Sequence, residues 1–500
     1  MFLAVRGRTV RDTMSSEAPI TPLSEDTDDW NLARQWNSID WTKAEKHVNR
    51  LQYRISKAEK EGKHDLVKRL SYLLVHSFYA KALAVRRVTT NRGKRTAGVD
   101  KVVWDSASDK MRAVLSLTDK GYRSKPLRRI YIPKKSGKLR PLSIPTMYDR
   151  AMQALYALAL DPIAEVRADP NSYGFRKYRG CQDAQSAIWV RTHANCKGTW
   201  IVETDIKSCF DQISHKWILD NIPMNKRILK QFLKSGFIFK GQLFPNINGV
   251  PQGGIISPII ANMTLDGLER ELTEKFPDKG RKPNPVKLIR YADDSVAICR
   301  DKDTAEEVKE VMSEFLSPRG LELSEEKTRI THIDDGFDFI GFNFRRYDGH
   351  LIVKPAKSSI NRFIERMHLL ILVEGQAMSQ KELIRVLNPV IRGWAQYYRY
   401  VCSSVVFQTL DNILFWMLWR WAVRRHPNKG KRWIKDRYWH SVGNRSWVFA
   451  DEEVTLIHLS DVKICRYQQM KQGTNAYLDW RYIQKMKGRG TKHVPESPLP

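Results

Sequence analysis

Two adjacent carboxylates, Asp293 and Asp294, stand in KLIRYADDSVAICR at 287–300, between runs that otherwise read as buried strand. The arms at 288–289 and 296–299 are rich in branched residues that favour pleated structure, so the segment predicts a hairpin with Ala-Asp-Asp at its bend. From these residues alone, a solvated Asp-rich turn accounts for the pair as well. The chemistry that paired carboxylates could serve is phosphoryl transfer to a hydroxyl. That reaction asks for two divalent ions about 4 Å apart, held by hard oxygen ligands that suit Mg²⁺. A third acid on a neighbouring strand would complete such a site, and Asp205, at the end of WIVETD, is the best candidate.

The elements that must position these acids can be read around them. RRIYIPKKSGKLRPLSIP, 128–145, has two short extended arms about a cationic bend and predicts a hairpin. Thr146 with Asp149 resembles a capping box opening the helix DRAMQALYALALDPIA. GTWIVETDIKSCFDQI, 198–213, predicts a strand ending in Asp205; VPQGGIISPIIANMTLDGLEREL, 250–272, predicts a Gly-Gly turn running into a helix. AEEVKEVMSEFL reads as an amphipathic helix and FDFIGFNF, 337–344, as a strand. Strands and helices interleave from about 128 to 346, which predicts an α+β core.

On the N-terminal side, residues 1 to about 38 lack periodicity and read as a flexible leader. Apolar residues at helical spacing then predict one helix over 41–62 and a second over 64–88, followed by the basic loop NRGKRTAGVDK at 91–101. Beyond about 355 the pattern turns wholly helical. From 427 onward Trp and Tyr interleave with cations in KGKRW, RYWHSVGNRSW and RYIQKMKGRG. That mixture offers bases a stacking surface and phosphates a counter-charge, although core packing would account for about half of the tryptophans.

The totals narrow the class. The 500 residues carry 85 Lys plus Arg against 55 Asp plus Glu, a formal charge of +30, which points to a polyanionic partner, nucleic acid first. The longest apolar run, ILFWMLW at 413–419, is too short to span a bilayer, so no membrane partner is expected. The 6 cysteines show no CxxC pair or Cys/His cluster, which argues against a zinc site and a disulfide framework and for a reducing compartment. MFLAVRGRTVRD is too short in apolar residues for a secretory signal; a cytoplasmic, nucleoid-associated bacterial location is expected, with an organellar transit peptide weakly supported.

Taken in order, IPKKSGKLRP, TDIKSCF, PQGG and RYADD resemble the reverse transcriptases, most closely the group II intron-encoded reverse transcriptase/maturase. TAGVD at 96–100, YGFRKYRGCQDA at 173–184, FDQISH at 210–215, GLELSEEKT at 320–328, FDFIGFNF and IRGWAQYYRY at 391–400 extend the resemblance over roughly 40–487.

The resemblance implies a right-hand polymerase fold of fingers and palm, then an all-helical thumb or maturase domain and a basic C-terminal region. The implied boundaries are a leader to 38, an N-terminal helical extension at 39–110, fingers and palm at 111–350, thumb or X domain at 351–426, a DNA-binding region at 427–487 and a tail at 488–500. It implies Asp205, Asp293 and Asp294 as catalytic triad and ligands of two Mg²⁺ ions, Asp294 in support. Lys134 and Arg140 would meet the triphosphate of a dNTP, Phe210 would sit under the sugar and exclude a 2′-hydroxyl, and Gln252 would line the nucleotide and template pocket.

The implied partners are group II intron RNA, target DNA and dNTPs, with a homodimer left open. The implied activity is RNA-directed DNA synthesis joined to assistance in splicing. Many members of the family carry a C-terminal HNH endonuclease with Cys pairs, which this sequence lacks, so target cleavage is not expected of it and a replication fork would supply the primer. A splicing-only RNA-binding maturase, and a related reverse transcriptase recruited to defence or CRISPR function, are the alternatives.

Overall fold

The computed structural model of the chain describes residues 25–133, 137, 139–193, 198–278 and 285–487. In chain order its strands are β1 (Leu127–Pro133), β2 (Leu139–Ile144), β3 (Trp200–Thr204), β4 (Phe237–Phe239), β5 (Gln242–Phe244), β6 (Lys287–Tyr291) and β7 (Asp294–Cys299). They continue as β8 (Arg329–His332), β9 (Phe337–Phe339), β10 (Phe342–Tyr347), β11 (His350–Pro355), β12 (Trp439–Val442) and β13 (Arg445–Phe449).

The central sheet runs β6-β7-β3-β8, each neighbouring pair antiparallel. Successive side chains point to opposite faces of a strand, and here both faces are covered. Val202, Leu288, Ala297 and Cys299 join a core with the N-terminal helices and the helix Met147–Arg167. Ile201, Ile289, Val296 and Ile298 join a second core with β9–β11 and the C-terminal helices. The palm sheet is thus the shared wall between two cores, and whatever its strand ends carry is held from both sides.

The helix Met147–Arg167 is capped as its sequence predicts, Thr146 Oγ1 accepting from the Asp149 N–H at 3.1 Å. Pro162 lies inside it and has no N–H for the carbonyl of Leu158, one turn back. The buried Gln52 fills that vacancy from the N-terminal helix Trp41–Lys60, its Nε2 donating to Leu158 O at 2.7 Å. The chain's N-terminal layer is pinned to the palm at the point where proline weakens the helix.

Several expectations need correction. Within the expected leader, Glu25–Asn37 is helical and packs on the helix Ala107–Ser116, where Arg112 pairs with Asp29; residues 1–24 lie outside the described residues. The single helix expected over 64–88 is two, His64–His76 and Phe78–Thr90, broken by an extended Ser77. Ser competes poorly for helical backbone, and the break lets both pieces cover the helix Met147–Arg167. The helix expected to run to 272 also breaks, into Ser257–Leu265 and Leu268–Lys275, at an extended Asp266 and at Gly267, whose φ of +101° suits glycine.

FDFIGFNF is not one strand. It is the β9–β10 hairpin, with Ile340 and Gly341 at φ +43° and +87° forming a primed two-residue turn. β11 extends the sheet to Pro355, and only then does the helical region begin, with Lys357–His368, Gln380–Tyr398 and Ser404–Arg425. Among the described residues no helix is long and apolar enough to cross a membrane. In the C-terminal region Trp439 is buried while Trp433 and Trp447 are exposed, with Lys429 and Lys435 over their rings. The chain beyond then returns to the palm, where Tyr467 OH and the Met470 N–H both donate to Asp183, each at 2.9 Å.

Candidate active site

The expected hairpin is present, and its bend is two residues long: Tyr291 pairs with Asp294, leaving Ala292 and Asp293 between the strands. Ala292 sits at φ +61°, a region that costs a residue with a Cβ about 1–3 kcal/mol unless its surroundings enforce it. β3 and β7 are in register from Trp200↔Cys299 to Thr204↔Ser295, and the hydroxyls of Thr204 and Ser295 lock the last pair at 2.6 Å. One step further, the same register sets Asp205 across from Asp294, with Asp293 beside it on the bend.

Asp294 feels the charge of both other acids. Desolvation, then the charges of Asp293 and Asp205, push the Asp294 carboxyl up to about 6, while Lys327 pulls it the other way. Asp294 keeps a face in solvent, so the like charges are the part of this rise that a cation would reverse. The Cys209 thiol beneath is pushed up to about 12 by burial and by Asp293, with Asp205 adding to the effect.

Asp205 is held from a second side. Ile206 bridges Leu323, and the Ser324 N–H donates to Asp205 O at 2.8 Å, so 322–327 runs alongside 205–207. This brings Lys327 Nζ to 2.9 Å from Asp205 Oδ2. Among the described residues no three His, Cys, Asp or Glu side chains form a ready metal cage. What they form is a concentration of negative charge with a lysine ammonium as its present counter-ion. That donor set, all carboxylate oxygen with a cation already drawn to it, fits a hard divalent ion.

The other expected residues divide. Phe210 lies in the turn Cys209–Gln212, half-buried, four residues beyond Ile206. The loop carrying PQGG is pressed against it: the Val250 N–H donates to Phe210 O at 2.7 Å, and a Cβ on Gly249 would collide with the same carbonyl. Gln252 Nε2 donates to Asp211 Oδ2 at 3.2 Å, and its carbonyl accepts from the Ser143 N–H at 2.8 Å, tying palm loop to fingers hairpin. A cavity of about 200 Å³ lies there, lined among others by Arg129, Ser143, Asp211, Asn248 and Gln252. Arg140 is exposed on β2 opposite Ile132, toward the hairpin tip and away from this loop, and Lys134 lies outside the described residues.

Sequence reasoning missed Lys327, although GLELSEEKT carried it, and missed Arg290, Asn262, Asp266 and Gly174 behind the bend. The usable signal was Arg290 itself, a charge inside an otherwise apolar strand arm.

Comparison with known proteins accords with this geometry. The reverse transcriptase (RNA-dependent DNA polymerase) family matches residues 132–344, the N-terminal domain of reverse transcriptase 36–117, and the group II intron maturase-specific domain 360–439. The group II intron-encoded protein LtrA of Lactococcus lactis subsp. cremoris is 28% identical over 439 residues, 69% of this chain and 72% of that protein. Protein YkfC of Escherichia coli K12 is 31% identical over 305 residues, 53% of this chain and 80% of that protein. A 91 kDa protein in the cob intron of Schizosaccharomyces pombe is 26% identical over 412 residues, 65% of this chain and 50% of that protein.

The fold and the matched catalytic domain are those of an RNA-directed DNA polymerase. With the maturase-specific domain following it, the chain belongs to the group II intron-encoded reverse transcriptase/maturase family.

Proposed function

We propose that this chain binds a group II intron RNA, assists its splicing and copies it into DNA at a target site, with Asp205, Asp293 and Asp294 holding two Mg²⁺ ions. The observation that carries the reading is the antiparallel pairing of β3 with β7, which brings Asp205 to the hairpin end that carries Asp293 and Asp294, with Lys327 paired to Asp205. Bound there, Mg²⁺ would activate the primer hydroxyl and steady the departing pyrophosphate. Asp205 and Asp293 would be the main ligands and Asp294 the supporting one. Arg140, with Lys134, would meet the triphosphate from the fingers, where guanidinium and ammonium suit phosphate oxygens. Gln252 would line the template and nucleotide pocket.

The formal charge of +30 and the exposed Trp433 and Trp447, each with a lysine over its ring, support binding of RNA and DNA by phosphate contact and stacking. Purified protein is expected to extend a DNA primer on an RNA template with dNTPs when Mg²⁺ is present and to stop when it is chelated. It is also expected to accelerate splicing of the intron RNA that copurifies with it. Absence of incorporation at every Mg²⁺ concentration would reject the polymerase half of the reading.

Two variants probe its parts. Phe210→Val should admit ribonucleotides, lowering the preference for dNTP over rNTP by about 10–200-fold, the value of one steric group in a pocket; steady-state competition between the two nucleotides measures it. Lys327→Gln should lower the Mg²⁺ concentration for half-maximal activity by up to about fivefold, because a half-exposed ion pair of roughly 0.2–1 kcal/mol no longer competes for Asp205. An Mg²⁺ titration of primer extension reads that shift whatever happens to kcat.

A further inference from the structure

Behind the bend that carries Asp293 lies a buried polar network that no catalytic role requires. Arg290, in the strand arm just before Tyr291, is 2% exposed. Its Nη1 donates to the carbonyl of Ala292, the bend residue at positive φ, at 3.2 Å, and to Asn262 Oδ1 at 3.2 Å. Its Nη2 pairs with Asp266, the residue at which the helix after PQGG breaks. Asn262 Nδ2 in turn donates to Gly174 O at 2.8 Å. Gly174 presses on the other side of the bend, for a Cβ there would run into the backbone N of Ala292. The segment 171–173 is stitched to the same arm by an isolated bridge, Tyr173 N–H to Arg290 O at 2.9 Å and Arg290 N–H to Asn171 O at 3.0 Å.

We propose that Arg290 is a positioning residue for DNA synthesis: with Asn262 and Asp266 it fixes the backbone of the Ala292–Asp293 bend from behind while Gly174 blocks it from the side. The inference rests on the carboxylate reading above and deepens it. Stability alone is a poor reason for the network. Arg290 Nε and Asp266 Oδ2 are buried and have no hydrogen-bond partner among the described residues. A buried ion pair with unsatisfied atoms is commonly no more stable than apolar side chains of similar volume. Its distinctive product is geometric: a guanidinium that reads the carbonyl of a strained bend residue and the side chain of a neighbouring helix at once.

The full chain, with primer and RNA template, supplies the test. The double variant Arg290→Met/Asp266→Leu should keep or raise the thermal midpoint, while kcat falls about 10²-fold, the cost of a catalytic group displaced by about 1 Å. KM for dNTP and affinity for the primer–template should stay within about twofold, because neither contact is made by the network. Arg290→Lys keeps the charge and the pairing with Asp266 but cannot reach both oxygens. It should lower kcat about tenfold with an unchanged midpoint, and it decides the matter if the double variant does not fold. Wild-type kcat in a folded variant overturns the inference, as does a fall in kcat that tracks the midpoint alone. Failure here is distinct from failure of the site reading, which would show as synthesis persisting in Asp293→Ala.

Discussion

Asp293→Ala is expected to abolish dNTP incorporation on an RNA template, by about 10³-fold or more, while RNA binding is retained. The size follows from what the carboxylate is asked to do. A metal ion held at the reacting phosphate supplies several kcal/mol of transition-state stabilisation, and each 1.4 kcal/mol is tenfold in rate. Asp293 sits on the two-residue bend, half-exposed, so truncating it removes charge without opening a core. The fold should therefore survive, and the loss should appear in kcat with little change in unfolding midpoint. Measuring splicing in the same preparation separates the two halves of the function: splicing retained without synthesis places RNA assistance elsewhere in the chain. Synthesis within tenfold of wild type would mean that the bend does not hold the metal.

The second large effect is on stability. Glu165 is buried at the end of the helix Met147–Arg167 and receives Arg176 on both oxygens, Nε at 2.9 Å and Nη2 at 3.0 Å, with Arg179 Nη1 at 3.0 Å. The Ala476 N–H adds a fourth donor at 3.3 Å, and Arg179 also donates to Thr474 O, so the returning C-terminal segment is bolted to the palm through this carboxylate. Glu165→Ala leaves two guanidiniums buried without their partner, which should cost about 3–5 kcal/mol in urea unfolding and free the segment around 467–479 for proteolysis. Burial alone would raise the Glu165 carboxyl, but Arg176 and Arg179 outweigh it and hold it below the usual value of 4.5. A depressed folded value means that this contribution is complete above about 4.5 and is lost as pH falls through the folded value. The acid limb of the stability profile should therefore flatten in the variant. A loss under about 1 kcal/mol would show that the C-terminal segment is held by other contacts.

The sequence made the catalytic hairpin legible because its cues were local: two apolar branched arms and a bend too short to hide. The convergence of Asp205 with it was legible only as chemistry, through the need for a third acid; the pairing of β3 with β7 joins residues too far apart in sequence for periodicity to report. FDFIGFNF misled because each arm alternates with period two, and Ile340-Gly341 lacks the Asn or Asp that usually marks a primed turn. The break at Asp266 was hidden by apolar residues continuing on both sides of it, and the helix Glu25–Asn37 by a polar sequence that gains its main partner from the helix Ala107–Ser116. Glu165 and Asp183, unlike Arg290 in its apolar arm, were invisible as interior residues for a common reason. Charge in a sequence reads as surface, and the partners that let these groups be buried come from distant segments.

Whether Asp205 and Asp293 share one metal centre can be measured without relying on activity. Fe²⁺ substituted for Mg²⁺ in the complex with primer, RNA template and dNTP, with hydrogen peroxide and ascorbate added, reduces the peroxide to hydroxyl radicals that cut the nearby backbone. Cuts are expected around both 205 and 293, lost together in Asp205→Asn and suppressed by excess Mg²⁺. Cuts at one segment alone, or a pattern indifferent to that substitution, would contradict the shared site.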